Sequence, residues 1–478
     1  MLLAASATAR LRWSRWVPPA AARGARTSAT LGGRRAPPAS SSDTAGGVRA
    51  GAGARRGAVA GAGAGNGKGA GGSTSLPRVC VADGHGMIYA AWHAMKGSEL
   101  SARGAGGGRQ ASGVLHVFCL KLAVLLAGTA PGLGGRFDRV IVVFDGGRDA
   151  DAVLPHSRES LTAHLAPEAR YKAARPTTTD PDLRIQLDAA RQACDAMGVP
   201  WARSAPGYEA DDLIGALCDP AHLGARARIV VVTQDKDLCQ LIRDAPDGAA
   251  DGAADGALGG PSVAVAHAVR GSGAYVVLSE ADFSEDAVDE AKRKDADAGG
   301  GQRGARSKRA FAPVHPRSLA DFLALVGDPS DGIRGVEGIG PVRAKQVLDA
   351  ADAHFRSLDG AGAPRRPFAD ALAPDADGGL PHLDAIIARG GLPKSTSAAL
   401  RDPEQQRAYR LARDLVALRV DTCPVPPDLA PDAVLAPDRE PLRTGEQHRR
   451  LHAYCDQWGL ETVRAVLTKA GLLAGRSS

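Results

Sequence analysis

The 478-residue sequence predicts an α/β fold, with a buried and largely parallel sheet in the first half and a mainly helical region after it. Three observations carry this. The runs VCVAD (79–83), RVIVVFD (139–145) and RIVVVTQD (228–235) are β-branched and nearly continuous in apolar residues, as strands covered on both faces are. Helical periodicities lie between them, the alternation that builds a covered sheet. Each run ends on an acid: Asp83, Asp145 and Asp235.

Residues 1–75 come first. They hold ten Arg, one Lys and a single acid, Asp43, and open MLLAASATARLRWSRW. That is the composition of a removable organelle transit peptide, for a chloroplast or a mitochondrion. The remaining residues carry 48 basic against 52 acidic side chains, so the overall charge of +6 belongs to the leader. Any binding of a polyanion must rest on local basic clusters. No run of about 18 apolar residues occurs, and no membrane span is predicted. The seven cysteines are dispersed without a CxxC pair, which reads as reduced thiols and not as a disulfide framework or zinc site.

Residues 76–312 hold the predicted strands. Leu183, Leu187, Ala190, Cys194 and Met197 recur at helical spacing, with Gly198 closing that helix. Leu213, Ile214 and Leu217 mark a second, short helix. Residues 245–273 and 282–309 are low in complexity and read as surface insertions, with a short strand at YVVLSE (275–280) between them. Residues 357–381 read as another insertion. Leu411, Leu415 and Leu418 outline a helix within the mainly helical region 313–478.

The acids form tight groups. Glu209, Asp211 and Asp212 lie in GYEADDLIGAL, Asp235 and Asp237 in TQDKDL, and Asp328 and Asp331 in GDPSDG. With Asp83 and Asp145 they make nine carboxylates. Open α/β sheets place ligands beyond the carboxyl ends of their strands, so Asp83, Asp145 and Asp235 converge on one rim. Taken singly, each acid would be a turn or cap residue. Crowded together they raise one another's pKa unless a cation relieves them. Oxygen ligands without spaced His or Cys suit Mg²⁺ or Mn²⁺ and not zinc. Two such ions about 4 Å apart can activate water and stabilise the leaving oxygen of a phosphodiester.

VADGH (81–85), VIVVFD (140–145), YKAAR (171–175), GYEADD (207–212), TQDKDL (233–238) and GDPSDGIRGVEGIGPVRAK (327–345) together resemble a known family. The chain is similar to the 5′-nuclease domain that precedes bacterial DNA polymerase I, and to related 5′–3′ exonucleases of the flap-endonuclease superfamily. The motifs keep the family's order over residues 79–350, with weaker similarity to about 475. No polymerase segment follows them, so a stand-alone organellar form is expected. The resemblance implies a PIN-like parallel-sheet core with a helical arch, followed by a helix–hairpin–helix region. It places Asp83, Asp145, Glu209, Asp211, Asp212, Asp235, Asp237, Asp328 and Asp331 where the family binds two Mg²⁺ ions. Two departures stand out: Gly332 replaces an Asn and Arg334 a Pro in the family's SDNxPG.

The resemblance also turns residues 146–176 into a mobile arch. Lys172 and Arg175 would hold the scissile phosphate, Arg158 would touch DNA, and Tyr171 would stack on a base. In GVEGIGPVRAK (335–345), Gly338 and Gly340 allow close approach to a phosphate at a helix start, with Arg343 and Lys345 adding charge and K⁺ as a further ligand. The expected activity is two-metal hydrolysis at a 5′ end or flap of DNA, RNA primer–DNA included, by a monomer in organelle replication or repair. An RNA nuclease of the PIN class and a non-catalytic junction-binding protein remain the alternatives.

Overall fold

The structure, a computed structural model, describes residues 76–95, 101–103, 109–146, 154–174, 180–244, 262–269, 272–283, 314–360, 362–436, 442 and 444–475. The leader 1–75, Arg175 and the second insertion beyond Phe283 (284–309) lie outside these residues.

Six strands form the main sheet: β1 (Arg78–Asp83), β2 (Arg139–Phe144), β3 (Trp201–Arg203), β4 (Arg228–Thr233), β5 (Ser262–Ala268) and β6 (Tyr275–Leu278). Their spatial order is β3-β2-β1-β4-β5-β6. All neighbours are parallel except β5 and β6. β1 lies between the other two acid-tipped strands, with Cys80 opposite both Val140 and Val230. In β1, β2 and β4 every residue after the first is buried, as their unbroken apolar runs require.

Alternate residues face two helical layers. Cys80, Ala82, Val140, Val142, Val230 and Val232 face one core with α1 (Gly84–Met95), α2 (Gly113–Ala127) and α3 (Pro181–Met197). α2 is apolar on nearly all sides because α1 and α3 flank it and the chain's last helices cover it. Val79, Val81, Ile141, Val143, Ile229 and Val231 face the other core. It contains α4 (Ala210–Cys218), α5 (Leu319–Val326), α6 (Pro341–Asp359), α7 (Pro381–Gly390), α8 (Lys394–Arg401) and α9 (Pro403–Val416). Burying each such Val, Leu or Ile side chain stabilises the fold by about 1.5–3 kcal/mol before conformational entropy is set against it.

α3 forms as its periodicity predicts. Asp180 accepts from the Asp182 amide, Pro181 takes the first turn, and Gly198 ends the helix in the left-handed region at φ 65°. α4 likewise contains Leu213, Ile214 and Leu217. No described helix is long and apolar enough to cross a membrane. All seven cysteines are buried and free.

Several expectations are corrected. Residues 262–268 are not insertion but β5, a sheet strand buried between β4 and β6; its Ala-rich SVAVAHA lacks the β-branched run that marks the others. Within 357–381, Phe368, Ala371 and Leu372 are buried in the core, so this stretch is packed chain. α9 stops at Val416, leaving Leu418 beyond its end. The described residues from Leu76 onward, those of the helical region 313–478 included, form one compact unit. The reason is burial on both sides of the sheet. α5–α9 cover one layer, while α10 (Gly445–Trp458) and α11 (Glu461–Lys469) return to pack Leu451, Tyr454, Val463 and Leu467 into the α2–α3 side. The Tyr454 hydroxyl donates to the Ala189 carbonyl at 2.6 Å.

Candidate active site

The parallel pairing brings Asp83, Asp145 and Asp235 to the same rim, as expected. Asp83 ends β1 and is only 5% exposed. The Gly86 amide donates to its Oδ1 at 2.7 Å, and the Thr233 hydroxyl, at the end of β4, donates to its Oδ2 at 2.9 Å. Gly86 is required here, since a Cβ at that position would stand 2.1 Å from the same carboxylate. The Thr233 oxygen also accepts from the Asp235 amide at 2.9 Å, so one hydroxyl orients two rim acids. Asp145 follows β2 and accepts from the Ala210 amide at 2.7 Å, in the first turn of α4. That bond sets Glu209 and Asp211 over the rim.

The rim acids act on one another. Burial first, then Asp145 and Asp235, push Asp83 up to about 7 against its two hydrogen bonds. Asp211 is pushed well above the ordinary carboxylate range by burial, then by Asp235, Asp83, Glu209 and Asp145. A second group overlaps the first through Asp235. Burial, then Asp235, Asp328 and Asp331, push Asp237 up to about 7, with Lys236 opposing them. Asp328 and Asp331 come from the short hairpin in which Gly327–Asp328 pairs with Ile333–Arg334. There the Lys172 amide donates to the Asp331 carbonyl at 2.7 Å. Burial alone would raise Asp328, but Lys236 and two bonds from Ser330 outweigh it and hold the carboxyl below its ordinary value.

Eight of the nine predicted acids therefore gather in two overlapping groups. Asp212 is the exception and is corrected. It is fully buried, and its oxygens receive the Arg158 guanidinium in a two-pronged contact, each bond 2.7 Å. The Glu209 and Arg419 amides complete its shell at 3.0 Å each. No oxygen is left to face an ion. Arg158 is corrected with it: 3% exposed, it also donates to the Leu415 and Ala417 carbonyls, so it cannot lie on DNA. Tyr171 is corrected too. Its ring is packed in the core at 6% exposure, with the hydroxyl 3.3–3.4 Å from Glu209. Lys172 is buried with its ammonium 2.5 Å from Glu209 Oε1, at the rim but not in open solvent.

Gly338 and Gly340 of the hairpin motif are exposed. Gly338 has φ 75°, and a Cβ at Gly338 or Gly340 would meet nothing within 4 Å. Gly340 caps α6, whose first residues Pro341, Val342 and Arg343 are exposed. Arg343 donates to Gln346, and Lys345 pairs with Asp349 one turn on.

The carboxylates fit hard divalent cations by donor chemistry and by an unmet need. The Oδ1 atom of Asp237 is buried without a hydrogen-bond donor, while Lys236 stands 3.5 Å away. Among the described residues, no three carboxylate, imidazole or thiolate side chains are already gathered into a coordination sphere. An ion bound here would have to draw the acids in.

With the rim, the α4 start and the hairpin acids in place, residues 78–249 match the profile of the 5′-3′ exonuclease N-terminal, resolvase-like domain. Over these residues the chain is similar to 5′-3′ exonucleases. It is 28% identical over 297 residues to DNA polymerase I of Mycobacterium tuberculosis H37Rv, covering 62% of this chain and 25% of that protein. It is 32% identical over 189 residues to the 5′-3′ exonuclease of Bacillus subtilis 168, covering 40% of this chain and 48% of that one. The chain thus spans about a quarter of the length of the DNA polymerase I relatives. The solved T5 D15 protein, co-crystallised with metal ions, is 14% identical with a TM-score of 0.40, over 82% of this chain and 99% of its own.

Three residues at the site were missed in the sequence, though all lie inside quoted motifs. Thr233 ends a strand two residues before Asp235. Lys236 separates the two acids of TQDKDL, where a cation between like charges was a readable signal. His85, in VADGH, accepts from the Asp145 amide at 3.4 Å and stacks on Tyr89.

Proposed function

We propose that this chain is a structure-dependent 5′-3′ exonuclease and flap endonuclease that hydrolyses DNA phosphodiesters with two divalent ions, in organelle DNA replication or repair. The observation that carries the reading is the mutual action of Asp83, Asp145, Asp211 and Asp235 across one strand-end rim. The domain match and the names of the similar proteins support it.

Asp83, Asp145, Glu209, Asp211 and Asp235 would hold one ion, and Asp235, Asp237, Asp328 and Asp331 the other. When bound, Mg²⁺ supplies Lewis acidity toward water and the phosphodiester. The protein's own work is positioning. Thr233 and Gly86 fix Asp83, Ala210 fixes Asp145, and Lys172 adds positive charge at the rim that offsets charge building on the phosphate. The exposed amides opening α6, with Arg343, suit a duplex backbone and read no sequence. K⁺ at this turn belongs to the same reading, as does a role for Arg175 on the phosphate.

The test is cleavage of a labelled 5′-flap duplex by the purified chain with Mg²⁺, beside Asp211→Asn. Cleavage by the wild type and its loss in the variant support the site. Equal cleavage by both rejects it, preferred cleavage of single-stranded RNA favours an RNA nuclease, and tight flap binding without turnover favours a junction-binding protein. The organelle assignment rests on residues 1–75, and a fluorescent fusion of that segment that stays outside both organelles overturns it.

A further inference from the structure

We infer that Lys236 is a built-in competitor of the second divalent ion, holding the outer carboxylates together until a metal displaces its ammonium. This rests on the two-ion reading above. Lys236 sits between two acids of its own loop and faces a third from a distant part of the chain. Its Nζ is 3.2 Å from Asp328 Oδ2 and 3.5 Å from Asp237 Oδ1, the oxygen that has no hydrogen-bond donor. The ammonium therefore occupies the space between the β4 rim and the Gly327–Arg334 hairpin where a cation has the most to gain.

Its construction suits exchange better than permanence. The side chain is 32% exposed, so the four-carbon stem has a path into solvent. An ammonium is a flexible point charge with no planar fork to lock it in place. The contrast lies within the same site, where Arg158 is fully enclosed and holds Asp212 by two bonds. Asp212 is thereby withdrawn from metal binding, whereas Asp237 and Asp328 are held available. Lys236 gathers the outer acids, lowers their repulsion in the metal-free chain, and weakens the outer ion so that it can leave with product.

The experiment is Mg²⁺ titration of the full chain without DNA, by calorimetry and by thermal shift, for the wild type, Lys236→Met and Lys236→Arg. Lys236→Met should bind the weaker of two Mg²⁺ ions about tenfold more tightly, the change expected on removing a nearby, partly screened like charge. Its metal-free melting temperature should fall, and saturating Mg²⁺ should restore it. Lys236→Arg, which keeps the charge, should retain weak Mg²⁺ binding. Unchanged or weaker Mg²⁺ binding by Lys236→Met overturns the inference and leaves the two-ion reading standing. A wild-type chain that binds no Mg²⁺ overturns both.

Discussion

Arg158 grips both oxygens of Asp212, Nη1 on Oδ2 and Nη2 on Oδ1, each at 2.7 Å, and so turns one member of the EADD motif from a metal ligand into a joint. The joint ties the segment before Tyr171 to the start of α4. Through Leu415, Ala417 and the Arg419 amide it also ties both to the end of α9 and the chain just after it. Breaking a buried pair costs more than the pair contributes, because the remaining charge stays buried. Arg158→Ala should therefore destabilise the chain by about 3–5 kcal/mol. Chemical denaturation measures this, and an exposed DNA contact would leave the midpoint unchanged.

Asp211 is held high by burial and by four neighbouring acids, so its charge works against the fold. Asp211→Asn should raise the melting temperature of the metal-free chain while lowering Mg²⁺-dependent cleavage by on the order of a hundredfold or more. A variant that loses cleavage and stability together would instead mark Asp211 as a structural residue.

Asp83 and Asp237 lie near 7 in the folded chain against 3.8 as the ordinary value. The folded state then binds more protons than the unfolded one between these values. Their contribution to stability is full below about pH 4 and is lost as pH rises through 7. Metal-free melting temperature should accordingly decline from pH 5 to 8, with a shallower slope in Asp83→Asn and Asp237→Asn. Because an ion binds the deprotonated acids, Mg²⁺ should stabilise more at pH 8 than at pH 5. A Mg²⁺ shift independent of pH would contradict this.

Gly332 carries the hairpin turn at φ 73°, and a Cβ there would lie 3.1 Å from the Arg170 carbonyl. Gly332→Val should cost about 1–2 kcal/mol and reduce cleavage by disturbing the neighbouring Asp331. Gly332→Asn should cost less, since Asn tolerates the left-handed region. Equal melting temperatures for the two variants would show that this turn is not constrained.

The sequence by itself determined the strands and the acids that end them. Unbroken β-branched runs leave a strand few alternatives to burial on both faces, and parallel pairing then sends Asp83, Asp145 and Asp235 to one rim. It also showed the periodicity of α3 and its closing Gly198, because such signals are local. It could not show β5, whose alanines and histidine carry no strong strand preference and become a strand only between β4 and β6. Nor could it show that α10 and α11 return to α2 and α3, since an apolar helix face does not name its partner. Tertiary structure alone separated the acids that face the rim from the one that does not. Asp211 and Asp212 are adjacent in the chain, yet the step of about 100° around the helix between neighbours aims the first at four like charges and the second at a guanidinium. A carboxylate's role follows from the charge that shares its low-dielectric surroundings, and only folding brings that charge within reach.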